Sequence, residues 1–213
     1  MESRSFQKER MKKVIDHLRK EYGDKKTSLT YRSPHQLLIA TILSAQCTDK
    51  RVNMVTPELF QKYQTVGDFA YAGVNELAED IHSCGYHNQK AKVIKGSSLM
   101  IKEEFGGEVP GTLEELLKLP GVGRKTANFI LGAVYRIPAV VVDTHMVRIM
   151  GLLGFTQSKN PEIIEREIMK IAPREAWIDL THLIIDHGRR VCIARRPRCE
   201  KCALSDICPS STA

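Results

Sequence analysis

Apolar residues in this chain recur at spacings of three and four, and almost nowhere at a spacing of two. That periodicity belongs to helices with one buried face. Residues 5–22 place Phe6, Met11, Val14, Ile15 and Leu18 on one helical stripe. Ser33 suits an N-cap and Pro34 a first turn, and the helix they open is expected to be buried. It carries Leu37, Leu38, Ile39, Ile42 and Leu43, apolar nearly all round. The pattern predicts further helices over 50–63, 74–82, 88–105, 112–118, 124–135, 144–154, 161–171 and 174–187. Thr112 with Glu115 predicts a capping box. Pro161 after Asn160 and Pro173 after Ala172 suit helix starts. The one strand-like run, Ala139 to Val142, has no second run to pair with. The predicted class is all-α, helices joined by short turns.

Composition narrows the class further. A chain of 213 residues makes one large domain or two small ones. With 42% hydrophobic residues it can bury enough surface to offset chain entropy, which excludes intrinsic disorder. Its longest apolar stretches, Leu37 to Ala45 and Ile137 to Val142, fall far short of the roughly 20 residues of a membrane span. The first 26 residues are charged throughout and show no secretory h-region. A soluble, cytoplasmic protein without a membrane partner is expected. The net charge of +7 comes from the two ends: residues 1–26 carry +4 and residues 189–201 carry +5. Such an excess suits either a nucleic-acid partner or a solvated face.

Four of the six cysteines, Cys192, Cys199, Cys202 and Cys208, lie within 17 residues. Clustered thiols in a chain of this kind point to a metal centre, and the bare spacing suits zinc or an iron–sulfur cluster equally. Cys47 and Cys84 read as small core residues.

The most specific motif is Leu119-Pro120-Gly121-Val122-Gly123-Arg124-Lys125-Thr126-Ala127, between two predicted helices. Pro120 ends the first helix, and Gly121 and Gly123 permit a tight turn at positive φ. Amides of such a turn beside a helix N-terminus make an anion site. No strand leads in and Thr126 replaces the third glycine, so this is not a dinucleotide fingerprint. Lys125 opens the second helix. A helix N-terminus disfavours a cation, and partial burial would add to that, so the position suits an amine activated as a nucleophile. A lysine that only grips phosphate is the alternative. Asp143 follows four apolar residues and suits the N-cap of the helix at 144–154. His145 beside it reads as local packing or a phosphate contact.

Together these segments resemble the helix–hairpin–helix base-excision DNA glycosylases. The hairpin matches, as do the run from Val140 through Asp143 to Arg148, the run from Leu43 through Gln46 to Asp49, and the spacing of the four terminal cysteines. The resemblance covers roughly residues 30–208 and is closest to the endonuclease III family. It implies a bifunctional enzyme that excises oxidised pyrimidines and cleaves abasic sites by β-elimination. By that resemblance Lys125 attacks the sugar, Asp143 supports it, and Cys192, Cys199, Cys202 and Cys208 hold a 4Fe-4S cluster. Double-stranded DNA with a damaged base or abasic site is the implied partner of a monomer. Gly121, Gly123, Arg124, Arg195, Arg196 and Arg198 would contact it, and Gln46 and Tyr86 would fill the gap left by an extruded nucleotide. Tyr86 departs from the aliphatic residue common in the family and is like the adenine-specific relatives. Those enzymes need an acid in the helix before the glutamine motif and lack the hairpin lysine. Residues 34–48 hold no Asp or Glu, and Lys125 is present. The implied organisation is a six-helix domain at 27–137 and a discontinuous domain of 1–26 with 138–213, the cluster loop at 192–208, and the active site in the cleft between them. A monofunctional mismatch glycosylase and a non-catalytic DNA-binding module are the rival readings.

Overall fold

The computed structural model describes residues 2–23 and 27–213. Residues 24–26, at the implied domain boundary, lie outside the described residues. Among the described residues the structure is all-helical, with no strand. The helices are α1 (Arg4–Tyr22), α2 (Pro34–Leu43), α3 (Asp49–Lys62), α4 (Val66–Tyr71), α5 (Val74–Asp80), α6 (His87–Glu104), α7 (Leu113–Leu116), α8 (Arg124–Tyr135), α9 (Thr144–Leu152), α10 (Pro161–Ile171) and α11 (Trp177–Arg190). None is long and apolar enough to cross a membrane. The chain divides into two compact units, residues 27–136 and the described part of 1–26 with 137–213.

The unit of residues 27–136 is built on α2. Ser33 caps it by accepting from the Gln36 amide at 3.2 Å, and Pro34 occupies its first turn. Leu37, Leu38, Ile39 and Leu43 are buried on several sides, and α2 accordingly packs on α3, α6 and α8. The unit holds seven α-helices where the resemblance implies six. One of them, α4, is absent from the apolar pattern because six residues are too short for a period to show. Its signal is a capping box, in which Thr65 and Asp68 cap each other's amides. His35 ties α2 to α6, its Nε2 lying 2.9 Å from Ser98 Oγ and its ring edge-on to Phe69.

The other unit packs Met11, Val14, Ile15 and Leu18 of α1 into one core with residues of α9, α10 and α11. Phe6 does not join them. It is 58% exposed, one turn before the stripe enters the core. Asn160 and Pro161 start α10 as their types require, Asn160 Oδ1 accepting from the Glu162 amide at 2.9 Å. Pro173 instead precedes a 3-10 turn at Arg174–Ala176, so α11 begins later than the pattern predicts and runs on to Arg190. The apolar run before Asp143 is extended but pairs with no strand. Thr181 Oγ1 on α11 accepts from the Val141 amide at 3.1 Å and donates to the Val141 carbonyl at 3.3 Å. One hydroxyl thus satisfies the buried backbone groups that a neighbouring strand would otherwise take.

Burial pushes the His35 imidazole down to about 4. The unfolded chain takes up a proton there near pH 6.5, and the folded unit refuses it until about pH 4. Stability from this residue is therefore intact at neutral pH and falls as the pH drops across that window, by on the order of 3 kcal/mol. Urea unfolding at pH 7 and pH 4.5 should show a smaller acid loss in His35→Gln than in the wild type.

Candidate active site and metal centre

The hairpin is assembled on α6. Gly121 has φ +70, and a Cβ there would stand 2.3 Å from Val93 Cγ1. Pro120 packs on Gly96, and its carbonyl accepts from Ser97 Oγ at 2.7 Å. Glycine at 121 is therefore required twice, by the left-handed backbone and by the close approach. Gly123 differs from expectation: its φ is −86, which any residue adopts. A Cβ on Gly123 would meet nothing within 4 Å. The helix before the turn is shorter than predicted, a single turn at Leu113–Leu116. Thr112 accepts from the Glu115 amide at 3.3 Å, but the Glu115 carboxylate binds the Thr112 hydroxyl rather than its amide.

Gly123 is the N-cap of α8, and no side chain caps that end. No acidic residue lies in its first turn. Arg124 is half-buried in the first position of α8, and Lys125 occupies the second. Lys125 is exposed, not partly buried as the sequence argument supposed, because the buried stripe of α8 runs through Ala127, Asn128, Ile130 and Leu131. The positive end of the helix dipole remains as the local influence on its ammonium.

Gln46 and Tyr86 lie in two separate turns of the same unit. Both are exposed, Tyr86 by 66%. Both also have left-handed backbones, φ 53 at Gln46 and φ 49 at Tyr86. Among the described residues only Arg136 is a further non-glycine with positive φ. Such a conformation costs of order 1–2 kcal/mol for a residue with a Cβ. Between the two turns sits a residue the sequence argument passed over. Lys90 on α6 is 5% exposed, and its Nζ donates to Leu43 O at 2.8 Å and Cys84 O at 2.9 Å. The thiol of Cys84 is buried, and burial pushes it up to about 11. Lys90 shares the buried face of α6 with Ala91, Ile94 and Ile101, and that apolar stripe is the signal by which its burial could have been found.

In the other unit Asp143 caps α9, its Oδ1 accepting from the Met146 amide at 2.8 Å. It sits two residues beyond the Val141 backbone held by Thr181. His145 packs on α11, where a Cβ at Gly188 would lie 2.3 Å from its Nδ1. Its Nδ1 lies 3.5 Å from an Arg148 nitrogen.

Cys192, Cys199, Cys202 and Cys208 all line one cavity of about 90 Å³, floored by Ile149, Leu153 and Leu204. N–H groups point at two of the sulfurs: Arg148 donates to Cys192 Sγ at 3.3 Å and the Leu204 amide to Cys202 Sγ at 3.4 Å. His187 Nε2 lies 3.5 Å from Cys202 Sγ and its Nδ1 2.9 Å from the Tyr22 hydroxyl. Burial pushes the Cys202 and Cys208 thiols up, and the other cysteines push further in the same direction. Four thiols around one cavity, with N–H groups aimed at two of the sulfurs, fit a thiolate-bound metal group. Among the described residues no three His, Cys, Asp or Glu side chains converge so as to hold an ion. Arg195, Arg196 and Arg198 are exposed on the loop between the first two cysteines.

A family model described as HhH-GPD superfamily base excision DNA repair protein matches residues 39–174. The endonuclease III of Synechocystis sp. is 50% identical over 207 residues, 97% of this chain and 94% of the relative. That of Bacillus subtilis is 42% identical, across 91% and 89% of the two chains. The fold superposes on a trapped covalent intermediate between endonuclease III and DNA with a TM-score of 0.92 and 40% identity, covering 99% and 98% of the two chains.

The two hairpin glycines separate in stability. Gly121→Ala should cost about 1–3 kcal/mol in urea unfolding, from strain and the clash with Val93. Gly123→Ala should cost less, about 0.5–1 kcal/mol, since its Cβ meets nothing but alanine is a poorer N-cap than glycine.

Proposed function

Because the chain belongs to the HhH-GPD superfamily of base excision DNA repair proteins, and within it to the endonuclease III family, we propose that it excises oxidised pyrimidines from double-stranded DNA and cleaves the resulting abasic sites. The observation that carries this is Lys125, an exposed amine in the first turn of α8, beside an N-terminus that no side chain caps. An open Gly123 next to it lets a DNA phosphate approach the backbone amides.

The target nucleotide leaves the stack at a cost of a few kcal/mol, least for a damaged base. Gln46 and Tyr86, exposed on their strained turns, fill the gap. Lys125, once neutral, attacks C1′ with its nitrogen lone pair. The bond from C1′ to the base breaks, and the base leaves with that electron pair and takes a proton. The sugar ring opens to a protonated Schiff base on Nζ. Loss of a C2′ proton then expels the 3′ phosphate oxygen, which nicks the strand. Water hydrolyses the imine and returns the amine. Asp143, fixed in geometry by the Met146 amide, stabilises the cationic sugar as the base departs and helps take the proton from Lys125.

Gly121, Gly123 and Arg124 present the hairpin to the backbone, and Arg195, Arg196 and Arg198 add cations from the cysteine loop. Cys192, Cys199, Cys202 and Cys208 would hold a 4Fe-4S cluster. The four thiols lining one cavity would supply the thiolate ligands that such a cluster takes. When bound, such a cluster crosslinks residues 192–208 and stiffens a loop with little core of its own. The enzyme acts as a monomer, in the cytoplasm.

Borohydride trapping on abasic duplex DNA tests the mechanism. Wild type should form a covalent adduct, and Lys125→Ala should form none while still binding DNA. Asp143→Asn should fall by about 10²–10⁴-fold in base excision. Base release without an adduct would mark a monofunctional glycosylase, and binding with neither activity a DNA-binding module.

Cys199→Ser tests the metal group separately. The variant should lose visible iron–sulfur absorbance and expose residues 192–208 to protease, with DNA binding weakened most at low salt.

A further inference from the structure

The two turns that carry Gln46 and Tyr86 are far apart in sequence, yet they share one donor. Leu43, the last residue of α2, precedes Gln46 by three positions. Cys84, the last residue of the 3-10 turn at His82–Cys84, precedes Tyr86 by two. The carbonyls of Leu43 and Cys84 both accept from Lys90 Nζ, at 2.8 and 2.9 Å.

Burying an ammonium is costly, and an unbranched apolar side chain of the same length would fill this space more cheaply. The cation is favoured at the carbonyl end of α2, whose last C=O groups lack helical partners. Its two short bonds fix both carbonyls to one point, so neither turn can shift without the other. The turns themselves are held in left-handed backbone at residues that are not glycine, although Gly85, with φ +69, stands next to Tyr86. The side chains are retained at that conformational cost, so their positions matter to what they do.

We propose that Lys90 is a positioning residue that sets the spacing between Gln46 and Tyr86, so that both enter the duplex together. This rests on the assignment of those two side chains to gap filling. Lys90 itself touches no DNA.

The test compares wild type with Lys90→Met, which keeps the stem and removes the donors. Insertion is read from the fluorescence of 2-aminopurine opposite an abasic-site analogue in a duplex. Activity is read on a lesion-bearing duplex, and trapping on an abasic site held in an unpaired bulge, where nothing need be extruded. Lys90→Met should lose the 2-aminopurine signal and about 10- to 100-fold in duplex kcat/KM, the scale of a misplacement near 1 Å. Its trapping on the bulge should stay within about twofold of wild type. In a Gln46→Ala, Tyr86→Ala background, Lys90→Met should cause no further loss. An unchanged duplex rate, an equal loss on the bulge, or a full additional loss in that background would overturn the proposal. If neither Lys90→Met nor Lys90→Gln folds, Lys90 is only a structural residue and the proposal falls. If wild type fails to trap on either substrate, it is the lyase assignment that fails, and the 2-aminopurine signal still reports on the two turns.

Discussion

The hairpin can lie on α6 only because residue 121 has no side chain. Val93 occupies the space a Cβ would need, and Ser97 holds the Pro120 carbonyl in place. That contact fixes where the turn ends, hence where α8 starts and where its N-terminal amides point. Lys125 takes its place from this chain of constraints rather than from any partner of its own. The neighbouring Gly123 is under no such constraint, since its backbone is ordinary and its surroundings are open. Two glycines two residues apart thus have different causes, one inside the fold and one outside it.

Strain is concentrated in the same unit. A buried ammonium between two turns offers an account of how the strain at Gln46 and Tyr86 is sustained: the carbonyls leading into each turn are tied down before the backbone reverses. A loop held that way resists relaxing, which a glycine-rich loop of the same shape would not.

Most of the helices were legible in the sequence because their buried faces repeat at helical spacing, as at Leu37 to Leu43. Apolar spacing misled where a residue lies at the edge of a core, as with exposed Phe6, and was silent for the six-residue α4. Caps were legible at Ser33, Asn160 and Asp143, since a side-chain oxygen before a helix has few other uses. At the candidate site the order of the motifs was visible, but not the burial of Lys90 or the exposure of Lys125. Lys90 sits on the apolar stripe of Ala91, Ile94 and Ile101 but is a residue type that seldom follows such a stripe into a core, whereas the exposure of Lys125 depends on which side of α8 meets a distant segment. The sign of φ at Gly123 was likewise hidden, since a glycine is compatible with both.

Thr181 has a consequence beyond the placement of Asp143. Residues 139–142 form a short extended run ending in three valines, strong β-formers whose backbone groups could pair with a strand if left free. In the folded chain the amide and carbonyl of Val141 are both taken by a single hydroxyl from a helix. The run therefore presents no complete edge to another molecule, and α11 acts as a guard against self-association for as long as it stays docked.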